Sequence, residues 1–363
     1  MIVIADDITG AAEIAGIAHS HGQQVHLVCA SPTVSHVHCD SVAVTTTVIA
    51  TDTRSMSEAE AVAETRRIAS SISSLSAPLF KKTDSALRGH VVAELTALID
   101  VTGYQRAVYL PANPSKGRII RKGIYYINEI PIHETAFNYD PEFPARTSSL
   151  RERFPDAEAK GIIIPDAESE DDIRRIIRQY DDGKTIFAGA ADLFSLIPPI
   201  SPISPISPIS PITPIATPTT LILCGSTQSK PLNLGIPIAP MPREVYDGEQ
   251  GADYWFQSLA TPATSLILTI PHTHRTGKEV AVHLRTVMAE MAQRLVRKHR
   301  PDHLIIEGGA TAWATLQALG WTDFQIVSQI APGVVQMSAT NGTLVTLKPG
   351  SYPWGNLFQS FSE

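Results

Sequence analysis

Residues 81–90 read KKTDSALRGH, and the fold follows from how this stretch is entered and left. It comes after the apolar run Ala77-Pro78-Leu79-Phe80 and leads into Val91, Val92, Leu95, Leu98 and Ile99, an apolar set at helical spacing. A strand therefore hands two lysines and an aspartate to the start of a helix. Strand ends and helix N–H groups converge at one edge of an open α/β sheet, which is where such sheets hold ligands. Lys81, Lys82 and Arg88 around Asp84, with Ser85 between them, suit an anionic substrate with one acid/base or polar contact. An ordinary helix start with solvated lysines is the alternative reading of the same ten residues.

The pattern recurs outward from this stretch. Ile2-Val3-Ile4-Ala5 is a short apolar strand of the doubly covered kind, followed by Asp6-Asp7, Thr9-Gly10 and a helical pattern to Gly22. One of the two aspartates is expected to cap the helix; a pair at a strand end also suits a sugar hydroxyl or a metal-bound water. Val25–Val28 and Val42–Val44 read as strands, the second ending near Thr51-Asp52-Thr53-Arg54. A helix is expected over 57–75 and a strand over Ala107–Leu110, followed by Asn113, Lys116 and Arg118. Four strands thus end in polar clusters, and in a parallel sheet those ends line one edge. Residues 117–135 predict a β-hairpin with Gly123 and Asn128 at turns. Strands are expected at 162–164 and 185–189. The acidic start of the helix over 169–180 suits the helix dipole and reads as capping.

The length of 363 residues suggests two domains, and 43% apolar residues can fill their cores. A net charge of −7 and a pI near 5.9 argue against a basic nucleic-acid-binding face. The three cysteines, Cys29, Cys39 and Cys224, have no CxxC spacing and read as buried thiols in a reducing compartment. The start, MIVIADD, lacks a signal-peptide pattern, and no run of 18 apolar residues predicts a membrane span. A soluble, cytoplasmic α/β protein is expected.

Residues 198–218, PPISPISPISPISPITPIATP, repeat with a period of three. Polyproline II has about three residues per turn and rises roughly 3.1 Å per residue, so the segment would span about 60 Å. A semi-rigid linker is favoured over a recognition site for a proline-binding domain. The expected domains are therefore 1–197 and 219–363. In the second, strand Leu221–Cys224 runs into Gly225-Ser226-Thr227-Gln228-Ser229, a small polar turn able to face a phosphate. A strand at 265–270 and a long helix over 277–299 follow. Strand Leu304–Ile306 then runs into Glu307-Gly308-Gly309-Ala310-Thr311 and a further helix, and small side chains there let the backbone approach a ligand. Ala331-Pro332-Gly333 and Lys348-Pro349-Gly350 supply two more glycine turns. No GxxxxGK[ST], GxGxxG after a strand, kinase signature or HExxH is present. His272-Thr273-His274 has no further ligands at metal spacing and reads as a loop.

The stretches ADDITGA (5–11), KKTDSALRG (81–89), GRIIRKGIYYINEIPIHET (117–135), PDAESEDD (165–172), CGSTQS (224–229), EGGATA (307–312) and APGV (331–334) occur in an order that resembles the four-carbon acid sugar kinases. The resemblance covers nearly the whole chain, and its first three motifs are the most specific. It implies an α/β protein of two domains, each a largely parallel sheet flanked by helices, with the ligand cleft between them. It implies phosphorylation of threonate, erythronate or 3-oxo-tetronate by ATP, with Mg²⁺. Substrate-side motifs fall on Asp6, Asp7, Arg54, Lys82, Asp84, Arg88 and Arg118, with Asp84 favoured over Asp7 as the aspartate that orients or deprotonates the attacking hydroxyl. Nucleotide-side motifs fall on Ser226, Gly308, Gly309, Ala310, Thr311 and Gly350. Ligands for the metal are not assigned, and oligomeric state is open, a homodimer being one option.

The chain departs from the family pattern on the nucleotide side. Ala310 stands where an acidic residue is usual, KPGSYPWG (348–355) replaces a Lys-Ser-Gly-Asn-Phe-Gly turn, and the proline-rich run 231–242 replaces a helix. A sugar-acid-binding or regulatory protein with a degraded nucleotide site is the alternative. A dehydrogenase reading lacks the dinucleotide fingerprint.

Overall fold

The structure is a computed structural model and describes residues 1–30, 46–73, 75, 77–140, 142–198, 219–226, 231–259, 265–271, 277–350 and 352–359. The expected strand Val42–Val44, nearly all of the repeat 198–218, Thr227–Ser229, the pair His272/His274 and Cys39 lie outside the described residues. The chain divides into two compact units, Met1–Gln24 with Ala30–Pro202, and Val25–Cys29 with Ile203–Glu363.

In chain order the elements begin with β1 (Ile2–Ala5), α1 (Ile8–Ser20) and β2 (Val25–Cys29). Then come β3 (Thr46–Ala50), α2 (Glu58–Ile72), β4 (Leu79–Lys82), α3 (Val91–Thr102) and β5 (Arg106–Leu110). A small antiparallel sheet follows, of β6 (Arg118–Arg121), β7 (Ile124–Ile127) and β8 (Ile130–Pro131). The first unit closes with α4 (Leu150–Arg153), β9 (Ile162–Ile163), α5 (Glu170–Tyr180), β10 (Thr185–Gly189) and α6 (Ala191–Leu196). Its main sheet has the order β3-β1-β4-β10-β5-β9, with every pairing parallel. Val3, Ile4, Ile49, Phe80, Val108 and Ile186 are at most 1% exposed. Strands apolar on both faces are what a sheet covered on both sides requires, and each such side chain contributes about 1.5–3 kcal/mol.

Local chemistry sets the helix bounds. Asp7 caps α1, accepting from the Gly10 N–H at 2.9 Å. Ser57 and Glu60 form a reciprocal capping box on α2. Ser169 caps α5, and Asp172 in its acidic first turn accepts from the Ser169 hydroxyl, as expected of capping residues. The predicted hairpin is a three-stranded meander. Lys122-Gly123 and Asn128-Glu129 each adopt two successive positive φ values (50° and 72°, 49° and 63°), the twist that tight two-residue hairpin loops demand.

The second unit contains β11 (Thr220–Cys224), β12 (Ile238–Pro240), α7 (Arg243–Tyr246), α8 (Ala252–Gln257) and β13 (Leu266–Thr269). It continues with α9 (Lys278–His299), β14 (His303–Glu307), α10 (Gly309–Leu319), β15 (Asp323–Ala331), β16 (Val334–Ala339) and β17 (Leu344–Lys348). Strands β12-β13-β11-β14-β17 are parallel, and β16, β15 and β2 extend the sheet antiparallel. Strand β2 is a departure from the sequence reading. Val25–Val28 reads as a strand within the N-terminal domain 1–197, yet His26, Leu27 and Val28 pair with Gln325, Phe324 and Asp323. Residues 231–237 form no helix, and Leu232, Leu234 and Ile236 pack against the buried group Ile222, Cys224, Ile267, Ile305 and Leu357. Among the described residues no helix is long and apolar enough to cross a membrane.

Candidate functional site

Strands β3, β1 and β4 are neighbours, so three of the four polar strand ends meet at one edge of the first sheet. Arg54, in the turn after β3, is the hub. Its Nε donates to Asp6 Oδ2 at 3.1 Å, and its Nη2 donates to Asp6 Oδ1 at 2.7 Å and Asp7 Oδ1 at 3.0 Å. Its Nη1 stands 3.7 Å from Asp84 Oδ1. Arg88 turns back onto Asp84 with two parallel hydrogen bonds, Nε to Oδ2 at 2.9 Å and Nη2 to Oδ1 at 2.8 Å, the fork geometry that suits a carboxylate. Asp84 Oδ2 also accepts from the Ala86 N–H at 2.9 Å. Arg88 Nη1 reaches to 3.7 Å from Asp140 Oδ2.

Lys82 lies beside this group. Its Nζ donates to Thr83 O at 3.0 Å and stands 3.6 Å from Glu13 Oε2, while Lys116 Nζ meets Glu13 Oε1 at 2.6 Å. Arg118 donates to the Ser85 hydroxyl and stacks 5.8 Å from the Phe137 ring centroid. The Tyr125 hydroxyl donates to Ser85 O at 2.5 Å and to Pro111 O at 3.1 Å. The small antiparallel sheet thus clamps the loop that carries Asp84 and Arg88. That loop bends sharply. Leu87, nearly fully buried, has φ +64°, and Gly89 has φ +95° with its Cα facing Asp6 Oδ2. A Cβ on Gly89 would sit 3.2 Å from that oxygen, so glycine serves both the backbone angle and the close approach.

The carboxylates are buried and differ in basicity. Burial pushes the Asp6 carboxyl up, and Arg54 does not bring it back to the ordinary range. Burial also opposes charge on Asp7, but Arg54, Lys82 and the Thr9 hydroxyl hold it below its usual value. Against the same burial, Arg54 and Arg88 hold Asp84 well below the usual carboxylate range. Lys82 and Lys116 do the same for Glu13. Arg54, among three aspartates, stays charged at any working pH. Asp84, with both oxygens engaged, is suited to orienting a group rather than to taking a proton.

Asp6, Asp7, Arg54, Lys82, Asp84 and Arg88 therefore stand together, and Arg118 acts on the same loop through Ser85. Lys81 does not join them. Successive strand residues point to opposite faces, so Lys81 is buried on the far side, 2.5 Å from Glu94 Oε2. The grouping of both lysines around Asp84 is corrected accordingly, and α3 begins only at Val91, with the loop 83–90 between. The sequence reading missed Glu13, Asp140 and Tyr125. For Glu13 a signal existed: Asp7, Gly10 and Glu13 follow at three-residue intervals along one face of α1.

In the second unit, β11, β14 and β17 are adjacent and parallel, so the turns after them meet. A Cβ on Gly225 would overlap the Thr311 hydroxyl, and one on Gly350 would sit 2.5 Å from Ser226 Oγ. Gly308 (φ +98°) starts α10 without any side-chain cap, which leaves helix N–H groups available to an anion. Thr311 is buried in this first turn, and Ala310 is exposed there. Ser226, Gly308, Gly309, Ala310, Thr311 and Gly350 are thus gathered around one set of strand ends. Beneath them lies a pair the sequence reading did not single out. Lys348 Nζ stands 2.5 Å from Glu307 Oε1, donates to Pro349 O at 3.0 Å and Gly350 O at 3.1 Å, and lies 4.7 Å from the Trp354 ring centroid. Burial, with Glu307 adding to it, pushes the neighbouring Cys224 thiol up to about 12.

Comparison with known proteins finds a sugar-binding N-terminal domain over residues 1–158 and a nucleotide-binding C-terminal domain over 261–352. The chain is 28% identical over 229 residues to a D-threonate kinase of Salmonella typhimurium, a match covering 54% of this chain and 53%, about half, of that protein. It is 24% identical to a 3-oxo-tetronate kinase of Haemophilus influenzae over 410 aligned positions, covering 98% of each. A crystal structure of a Haemophilus influenzae protein shares the fold, with a TM-score of 0.69 at 21% identity over 100% of this chain and 99% of that one.

Proposed function

The chain belongs to the family that joins a sugar-binding N-terminal domain to a nucleotide-binding C-terminal domain and includes the four-carbon acid sugar kinases, and from that premise we propose that it is an ATP-dependent kinase acting on a hydroxyl of a four-carbon sugar acid. The observation that carries the reading is the constellation around Arg54. It combines cations able to meet one carboxylate, Lys82 and the Nη1 side of Arg88 outside its fork on Asp84, with buried aspartates for several hydroxyls, as a small polyhydroxy acid requires.

In this reading Arg88 and Lys82 take the substrate carboxylate. Asp6 and Asp7 receive hydroxyl hydrogen bonds, and Asp84, kept ionised by Arg54 and Arg88, orients the attacking hydroxyl. Phosphoryl transfer asks the protein mainly for positioning and charge stabilisation, so a strongly basic aspartate is not needed. ATP supplies the phosphoryl group, with Mg²⁺ offsetting its charge. The close turns at Gly225, Gly308–Gly309 and Gly350, with the uncapped start of α10, fit a nucleotide's phosphates. Among the described residues no group of three His, Cys, Asp or Glu is placed to hold a metal, so Mg²⁺ is given no protein ligand here.

The test is ADP release with a panel of four-carbon acids at saturating ATP. Turnover of threonate, erythronate or 3-oxo-tetronate supports the reading, and its absence with every acid refutes it. One observation favours a second reading, a sugar-acid-binding protein without transfer. Exposed Ala310 leaves the first turn of α10 without an acidic side chain. Acid binding by calorimetry without ADP release would select that reading.

A further inference from the structure

A second buried polar group lies on the opposite face of β4 from the site. Lys81 Nζ, on a side chain with no exposure, stands 2.5 Å from Glu94 Oε2 in the first turn of α3. That oxygen also accepts hydrogen bonds from Thr53 Oγ1 at 2.9 Å and Thr65 Oγ1 at 3.3 Å. Thr53 Oγ1 lies 2.9 Å from Thr51 Oγ1, which donates to Ala5 O at 2.9 Å. One carboxylate thereby ties together β4, α2, α3 and the turn after β3. The residue after Thr53 is Arg54, whose N–H donates to Asp6 O at 3.2 Å.

A buried ion pair is a poor source of stability, since apolar residues of similar volume do as well or better. What apolar residues would not do is hold the Thr53 hydroxyl. Backbone bonds also hold the turn, Thr51 N–H to Ala5 O at 3.0 Å and Met56 N–H to Thr53 O at 3.2 Å, but Glu94 is the group on α3 that meets the Thr53 side chain, and the guanidinium that the turn presents must meet three aspartates. We infer that Glu94, set by Lys81, is a positioning group for Arg54: it fixes the turn from the far side of the sheet and so aims the guanidinium at Asp6, Asp7 and Asp84. The effect on substrate use rests on the kinase reading; the effect on Arg54 does not.

The experiment separates the two, using the full chain. Lys81→Met with Glu94→Leu removes both charges at similar volume. Thr53→Val removes only the hydroxyl, and Thr53→Ser keeps it. The Nε–H resonance of Arg54, identified by its loss in Arg54→Lys, reports guanidinium order without any ligand. KM values for a four-carbon acid and for ATP report its use. In the double variant and in Thr53→Val, proton exchange at Arg54 Nε should quicken by roughly tenfold or more and the acid KM should rise by a similar factor, as loss of a hydrogen bond to a charged group implies. The KM for ATP should not move, and Thr53→Ser should match wild type in both measures. A folded double variant or Thr53→Val with wild-type exchange at Arg54 overturns the inference, as does a Thr53→Ser variant that behaves like Thr53→Val. If the double variant does not fold, the Thr53 pair decides. If the wild type turns over no acid, the kinase reading falls and the Arg54 resonance still decides the positioning role.

Discussion

Removing Arg54 should do more to the first unit than any other single change at the site. In Arg54→Met, Asp6, Asp7 and Asp84 lose a cation that stands 2.7, 3.0 and 3.7 Å away. At an effective dielectric constant near 20, gross attraction over such distances is about 4–6 kcal/mol for each pair. Much of it is offset by desolvation of the ions, and removing one partner of a buried pair typically costs about 3–5 kcal/mol net. That loss at pH 7 should shrink on acidification. In the wild type, Asp7 and Asp84 sit below their usual range, so their stabilisation is present above the unfolded pKa and lost as pH falls. Without Arg54, Asp7 keeps Lys82 and the Thr9 hydroxyl and Asp84 keeps Arg88, but burial is less opposed at all three carboxyls and they shift upward, so the folded variant binds protons first and part of the deficit is recovered as pH falls towards 5. Asp6, raised even with Arg54 beside it, should protonate earliest. The four tryptophans, Trp255, Trp313, Trp321 and Trp354, all lie in the second unit. Far-UV circular dichroism therefore follows both units during urea unfolding, and tryptophan fluorescence follows the second. The variant's early transition should appear in dichroism and not in fluorescence. A variant as stable as wild type at pH 7, or a deficit equally large at pH 5, would refute the reasoning.

Arg88→Ala should raise the KM for the acid by roughly 10- to 100-fold, the worth of a charged hydrogen-bonding pair, and leave the KM for ATP unchanged in steady-state assays. His303 is held down to about 4 by burial, against an ordinary value of 6.5, with one ring nitrogen 2.8 Å from Thr346 Oγ1. The neutral ring is favoured in the folded state, so stability is full above pH 6.5 and falls by about 3 kcal/mol as pH drops towards 4; urea unfolding followed by tryptophan fluorescence should show this loss in wild type and a shallower one in His303→Gln. Gly225→Ala places a methyl against the Thr311 side chain, so the second unit should lose about 1–3 kcal/mol, with weaker ATP binding and unaltered acid binding by calorimetry.

The sequence by itself determined most strands of the two sheets, the longer helices and the residue types at the site. Asp7, Ser57 with Glu60, and Ser169 announce helices because a cap acts on N–H groups two or three residues away. Apolar runs such as Ile2–Ala5 and Leu221–Cys224 announce buried strands, and the polar residues after them announce a ligand edge. All of these signals act within a few residues of chain. Only the tertiary structure decided which ends are neighbours. The order β3-β1-β4 brings Arg54 to Asp6, Asp7 and Asp84 across intervals of some 30 to 48 residues, and β11-β14-β17 brings Glu307 to Lys348 across 41. Strand alternation then divided KKTDSALRGH, the stretch that reads as a single cationic cluster. Lys82 faces the site and Lys81 the core beneath it, because adjacent side chains of a strand leave on opposite faces and only the packed helices show what each face meets. The same limit hid the antiparallel pairing of His26–Val28 with Asp323–Gln325. A strand's composition records how deeply it is buried and says nothing of a partner some 300 residues away.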